Sequence, residues 1–340
     1  MKYNLLGNTG LKVSELCLGA MTFGQTEGRF KAIAKVDQNG ADELLKRSVD
    51  AGINFIDTAN VYSEGQSEEM TGQAIRNLGL SRSELVVATK VRGKMGDGPN
   101  QVGLTRKHIL DQADASLKRL GTDYIDLYQM HSYDPLTPFE ETLRAFDDLV
   151  RSGKVRYIGA SNVAAWQLMK ALGTSERLHL EKFVSLQAYY TVAGRDLERE
   201  LVPLLQDQKV GLMVWSPLAG GLLSGKYSRD KQEGEDGRRA NFDFPPVNRD
   251  RAFDILDLLH PMAEQKGASV AQLSLAWLLH QPVVTSVIIG ASKMSQLEDN
   301  LKSVDVQFSE EELKQLAEAS KLPAEYPGWM LEMTGQDRQK

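Results

Sequence analysis

Eight short apolar runs, separated by stretches with helical spacing, constrain this chain more than any other feature. The runs lie at residues 17–20, 53–57, 85–90, 124–130, 155–160, 183–187, 211–215 and 286–290. Helical spacing is carried by residues 42–50, 67–77, Arg106–Leu120, 139–152, 164–172, 197–208, 251–266 and 270–280. In the third of these, Ile109, Ala113, Leu117 and Leu120 share one face. A helix between successive strands carries the chain back to the same end, so the strands pair in parallel. Eight such units predict an α/β fold, a (β/α)8 TIM barrel. A doubly wound sheet would want a Gly-x-Gly-x-x-Gly turn after an early strand, and this chain has none. Residues 3–6 and 11–13 flank Gly7-Asn8-Thr9-Gly10 and predict an N-terminal β-hairpin. Extra helices are expected toward the C-terminus, and residues 25–39 and 93–103 read as loops. No Pro- or Gly-rich linker splits the chain, so residues 1–340 are expected to form a single domain.

Three consecutive runs end in residues that carry chemistry. The run at 53–57 ends in Asp57, that at 85–90 ends in Lys90, and that at 124–130 is followed directly by His131. Tyr62 stands on the loop after the first of these. A carboxylate ending a buried strand requires a cation, because an unpaired buried charge is costly. Singly, Asp57 could cap a helix, Lys90 could solvate a strand end and His131 could be a loop histidine. Together they suit proton transfer. A nearby ammonium favours the phenolate form of a tyrosine, a carboxylate holds the ammonium, and an imidazole orients the acceptor oxygen. Ser161, Gln187, Trp215 and Gly290 also fall at strand C-termini, the face where active sites of such barrels sit.

The stretches F-I-D-T-A-N-V-Y-S-E-G, V-A-T-K and Y-Q-M-H resemble the aldo-keto reductase superfamily, and the similarity continues through G-A-S-N, V-W-S-P-L-A-G-G-L-L-S-G-K and I-I-G-A-S. The resemblance implies that Asp57, Tyr62, Lys90 and His131 form a catalytic tetrad for carbonyl reduction. It implies NADP(H) as cofactor and a small-molecule carbonyl substrate. Ser161, Asn162 and Gln187 would hold the carboxamide, and Trp215 would stack on the nicotinamide. Met21, Thr22 and Asp57 would also contact the cofactor. The pyrophosphate would lie on the loop bearing Ser216, Leu218 and Gly220, where glycines let backbone amides approach a phosphate. Lys226, with Arg238 or Arg239, would add charge there. Gly290, Ser292, Lys293, Gln296 and Asn300 would receive the adenosine 2′-phosphate at a helix N-terminus. Positions 292 and 296 are often arginine in the family but are Ser and Gln here, which leaves Lys293 as the only cation before Lys302.

Other readings are bounded by composition and spacing. A net charge of -6 gives no support for nucleic-acid binding. No apolar run reaches membrane-spanning length, and the N-terminus lacks the apolar core of a signal peptide. The single cysteine, Cys17, lies between two leucines and reads as a buried small hydrophobe; cytoplasmic localisation is expected. Gly220 to Lys226 has P-loop spacing, but Tyr227 follows where Mg²⁺ binding needs Ser or Thr, and no metal site is expected. A barrel glycosidase needs two carboxylates, and only Asp57 stands at a strand end. The alternative from another class is a non-catalytic nucleotide-sensing subunit, since potassium-channel β subunits share these motifs. Phe23, Tyr133, Trp215 and Trp329 are expected to line the pocket. Oligomeric state has no signature in the sequence.

Overall fold

The computed structural model describes residues 1–28, 30–231, 239 and 243–335. Strands β1 (Tyr3–Leu5) and β2 (Lys12–Ser14) form an antiparallel hairpin. The next eight are β3 (Leu16–Gly19), β4 (Phe55–Asp57), β5 (Val86–Val91), β6 (Ile125–Met130), β7 (Val155–Ser161), β8 (Ser185–Tyr189), β9 (Gly211–Trp215) and β10 (Val284–Gly290). They close into a barrel, each paired in parallel with its sequence neighbour, and β10 returns to β3 through the Gly290–Gly19 register. Around it run α1 (Gln38–Asp50), α2 (Gln66–Asn77), α3 (Arg106–Leu120), α4 (Phe139–Arg151), α5 (Ala165–Leu178) and α6 (Leu201–Gln208), then α7 (Arg249–Lys266) and α8 (Val270–Leu279). After β10 come α9 (Met294–Leu301), α10 (Glu310–Ala319) and α11 (Gly328–Gly335). The fold is the expected (β/α)8 TIM barrel with its N-terminal hairpin. Among the described residues no helix is long and apolar enough to cross a membrane.

Strand alternation explains why the site lies where it does. Side chains two apart on a strand share a face. Cys17, Phe55, Ala88, Leu127, Met213 and Ile288 pack together as the barrel's inner core. Two residues further along the same strands stand Gly19, Asp57, Lys90, Gln129, Trp215 and Gly290. An apolar layer therefore carries a mostly polar one at the C-terminal end. The other end is closed by the hairpin. Leu6 and Val13 are fully buried against the inner core. The Asn4 side chain donates to the Thr285 carbonyl at 2.8 Å, and the Asn54 side chain accepts from the Ser14 amide at 2.8 Å. Gly7 has φ +60, and a Cβ there would stand 2.2 Å from the Val184 carbonyl oxygen, so the chain can pass only as glycine.

Several element ends differ from the sequence reading. Residues 25–39 are not wholly a loop: Asp37 accepts from the Gly40 amide at 2.9 Å and starts α1 at Gln38. Helix α5 does not stop near residue 172. It runs through Gly173, which is surrounded by open space, and ends at His179 with φ 53. Helix α6 begins at Leu201 rather than 197, after a separate 3-10 turn at Asp196–Glu198. Pro203 is tolerated because it lies in the first turn, where amides have no intrahelical partner. Strand β8 lies two residues later than expected, so Gln187 stands in the middle of the strand and not at its C-terminus, which is Tyr189.

Candidate active site

Lys90 is completely buried near the end of β5. Its ammonium donates to Asp57 Oδ2 at 2.5 Å, to the Thr58 carbonyl at 2.8 Å and to the Tyr62 hydroxyl at 3.3 Å. A lysine has three N–H groups, and all three are used. Burial, the largest single effect, pulls the Lys90 pKa down, but attraction to Asp57 and Tyr62 outweighs it and the net direction is upward. Lys90 is therefore held as a cation.

Asp57 is buried in turn and is held from the opposite side. Its Oδ1 accepts from Gln129 Nε2 at 3.1 Å and from Gln187 Nε2 at 2.9 Å. Gln129 went unnoticed in the sequence. Its signal was there: it stands two residues beyond Leu127 on β6, paired in register with Lys90. Tyr62 begins a 3-10 turn, Tyr62–Gly65, that leads into α2. Its ring meets His131 and Phe30 edge to face, with centroids 5.7 Å apart in each case. His131 follows β6, its amide donating to the Val91 carbonyl at 2.9 Å. The four residues singled out in the sequence thus converge at one end of the barrel.

Beside them, Ser161 ends β7 and Gln187 lies on β8. Ser161 Oγ donates to the Gln187 carbonyl at 2.9 Å. Asn162, with φ 51, donates to Ser161 Oγ at 2.9 Å and to the His131 carbonyl at 3.0 Å. Its Oδ1 accepts from Trp215 Nε1 at 3.0 Å. The Trp215 ring meets Tyr189 at a tilt, with centroids 5.2 Å apart, and Phe244, which stacks parallel to it at 5.7 Å. Nothing in the sequence announced Phe30 or Phe244.

After β9 the chain turns sharply. Ser216 and Ala219 have φ 51, and Gly220 and Gly221 also have positive φ. Ser216 Oγ accepts from the Gly220 amide at 3.0 Å, and a Cβ on Gly220 would stand 2.4 Å from the Phe244 carbonyl oxygen. Leu218 is half-buried and Lys226 is exposed on this loop. Arg239 does not offer its charge to the surface. It is buried, donates to the carbonyls of Ala219 at 2.7 Å and Pro245 at 3.0 Å, and pairs with Asp243 at 2.5 Å. It braces the loop. Arg238 lies outside the described residues.

At the end of β10, Gln296 Oε1 accepts from the Ser292 amide at 2.9 Å and from its hydroxyl at 3.1 Å. Lys293 is exposed at the N-cap of α9, and no side chain caps that helix. Asn300 is buried, with Nδ2 3.5 Å from the Gly290 carbonyl oxygen. Thr22, next to Met21 in the 3-10 turn after β3, donates to the Ala291 carbonyl at 2.8 Å and ties the two loops together.

Of the aromatic residues expected to line the pocket, Phe23 does not. It is 1% exposed beneath the Tyr62 turn, where its carbonyl accepts from Ser63 Oγ at 3.1 Å. Tyr133 packs on Phe139 and Trp166, and Trp329 packs on Tyr326 in the C-terminal region. Trp215 alone of the four is hydrogen-bonded to another candidate residue. Cys17 is buried in the barrel, and burial, reinforced by the Asp57 charge, pushes its thiol well up, so it is not a nucleophile.

The model of the aldo/keto reductase family matches residues 15–321. A versiconal hemiacetal acetate reductase from Aspergillus parasiticus is 36% identical over 347 residues, covering 96% of this chain and 99% of its own length. A protein named "probable voltage-gated potassium channel subunit beta" from Arabidopsis thaliana is 41% identical over 312 residues, 90% of this chain and 92% of its own. An uncharacterised oxidoreductase of Bacillus subtilis is 38% identical over 324 residues, 93% and 95% of the two chains. A closed parallel barrel, a buried Asp–Lys–Tyr contact at its C-terminal end and a family match over most of its length lead to one conclusion: the chain belongs to the aldo/keto reductase family.

Proposed function

We propose that the protein reduces aldehydes or ketones to alcohols, with NADP(H) as its cofactor and Tyr62 as the general acid. The observation that carries this reading is the Lys90 ammonium, bonded at once to Asp57, the Thr58 carbonyl and the Tyr62 hydroxyl. The residues around it fit a nicotinamide dinucleotide. Gly221 and Gly290 leave open space beside the backbone, the first turn of α9 is uncapped beside an exposed Lys293, and Asn162 Oδ1 accepts from Trp215 Nε1. In this reading Ser161, Asn162 and Gln187 hold the carboxamide, the Ser216–Lys226 loop takes the pyrophosphate, and α9 with Lys293 takes the 2′-phosphate.

A reduced nicotinamide held by these residues would supply a hydride to the carbonyl carbon. The chain's own residues handle the proton. The substrate oxygen lies between Tyr62 and His131, and the imidazole orients it. As negative charge develops, Tyr62 gives that oxygen its hydroxyl proton. Lys90 stabilises the phenolate left behind, and Asp57 keeps Lys90 charged and in place. Phe30, Trp215 and Phe244 offer apolar surface for an aryl or alkyl group, and the name of the Aspergillus relative, a hemiacetal acetate reductase, supports reduction as the chemistry. Cytoplasmic placement is part of this proposal, supported by the single, buried cysteine.

The test is a nicotinamide-fluorescence titration with NADPH and NADH, followed by turnover of 4-nitrobenzaldehyde and a carbonyl panel. Saturable NADPH binding with NADPH consumed as alcohol forms is expected. A second reading, a nucleotide-sensing subunit, is favoured by the name of the Arabidopsis relative. NADPH binding without turnover of any carbonyl would favour that reading.

A further inference from the structure

The turn that carries Tyr62 is strained. Ser63 has φ 47, Glu64 φ 59 and Gly65 φ 101, three left-handed residues in succession. Left-handed backbone is unfavourable for a non-glycine residue, so such a turn persists only where its surroundings over-determine it. On one side, Ser67 Oγ donates to the Ala20 carbonyl at 2.7 Å and bonds the Thr58 hydroxyl at 2.7 Å, beside Asp57. On the other side the tie is ionic. Glu68, in the first turn of α2, is wholly buried. Its carboxylate accepts from Thr89 Oγ1 at 2.5 Å and from Arg119 Nε, on α3, at 2.6 Å. Arg119 also fills the space beside Gly65, where a Cβ would stand 2.7 Å from its Cδ.

Thr89 and Lys90 are consecutive on β5, so one points out toward α2 and the other into the barrel. Glu68 thus joins the segment bearing Tyr62 to the strand bearing Lys90. The contact it would govern is delicate: 3.3 Å between Lys90 Nζ and the Tyr62 oxygen is already at the long end of hydrogen bonding. We propose that Glu68, clamped by Arg119 and bonded to Thr89, is a positioning residue that sets the distance between Tyr62 and Lys90. The proposal deepens the reductase reading and rests on it for the kinetic part of its test.

The experiment compares Thr89→Val, Thr89→Ser and Glu68→Gln with the parent. Thr89→Val keeps the side-chain volume and the Glu68–Arg119 pair, and removes only the hydroxyl tie. Steady-state reduction, NADPH affinity, the unfolding midpoint and the Tyr62 titration are measured. The titration is followed by NMR of the ¹³C-labelled phenol carbon, with Tyr62→Phe assigning the signal. In Thr89→Val and Glu68→Gln, kcat is expected to fall about tenfold to a hundredfold, the cost of a misplacement near 1 Å, while KM and NADPH affinity hold. The Tyr62 titration should move to higher pH as the ammonium recedes. Thr89→Ser, which keeps the hydroxyl, should restore both. If Thr89→Val and Glu68→Gln only lower the unfolding midpoint, leaving kcat and the titration at parental values, the tie is merely structural and the inference is overturned. If the parent reduces no carbonyl yet its Tyr62 titration still moves in Thr89→Val, the positioning role stands and the reductase reading fails instead.

Discussion

Asp57 and Lys90 form an ion pair out of contact with water, with side chains 4% and 0% exposed. Removing one partner of such a pair costs about 3–5 kcal/mol, because the other charge is left uncompensated. Substituting Lys90 therefore tests folding as much as chemistry. Tyr62→Phe is the cleaner change: it deletes a half-buried hydroxyl and keeps the ring that meets Phe30 and His131. A positioned general acid contributes about 10²–10⁴-fold. We expect kcat for carbonyl reduction to fall at least about a hundredfold, with NADPH affinity by fluorescence titration and the unfolding midpoint held; reduction at the parental rate would remove Tyr62 from the role of acid. Lys90 also makes a prediction about stability. Its pKa in the folded chain is raised, so its contribution is fully present below the unfolded value of about 10.4 and is lost as pH rises through the higher folded value. Urea unfolding between neutral pH and strongly alkaline pH should show stability from this pair persisting to about pH 10 and declining above it. A rise in stability with pH toward about 10.4, in place of that plateau and decline, would mean that burial wins over Asp57.

At the scale of elements, the loops and helix ends hold the least legible information. Helix α3 was legible to the residue, because Thr105 accepts from the His108 amide at its start and Gly121, with φ 64, ends it. Helix α5 was not, because Gly173 reads as a stop, whereas the helix continues through the buried Ser175, whose hydroxyl donates to the Glu181 carbonyl at 2.8 Å. The start of α9 is the element that decides cofactor choice in the proposed reading. Ser292 and Gln296 are bonded to each other, which leaves Lys293 as the cation at that N-terminus. A charge-assisted hydrogen bond contributes about 1.5–3 kcal/mol, roughly tenfold or more in affinity. Lys293→Ala should therefore weaken NADPH binding by about tenfold and leave NADH binding unchanged, as read by parallel titrations. A parent that binds the two cofactors equally well would contradict it.

For the molecule as a whole, the barrel divides stability from chemistry. Leu6 plugs the end opposite Tyr62, fully buried with Val13 against the inner core. Truncating a buried leucine costs about 2–5 kcal/mol. Leu6→Ala should lower the urea midpoint accordingly, with kcat per folded molecule unchanged; a selective loss of kcat would show that the two ends are coupled. The same division separates what residue order reveals from what it leaves open. Strand and helix periodicity, the hairpin turn and the strand-end Asp57, Lys90 and His131 are written over a few neighbouring residues, so the barrel and its polar end can be inferred from the chain read in line. The burial of Phe23, the inward turn of Arg239 and the bond between Asn162 and Trp215 cannot. Each depends on segments distant in sequence: Gln187 reaches Asp57 across 130 residues. No local pattern encodes such a meeting, because partner, distance and burial exist only once the eight strands have closed on one another.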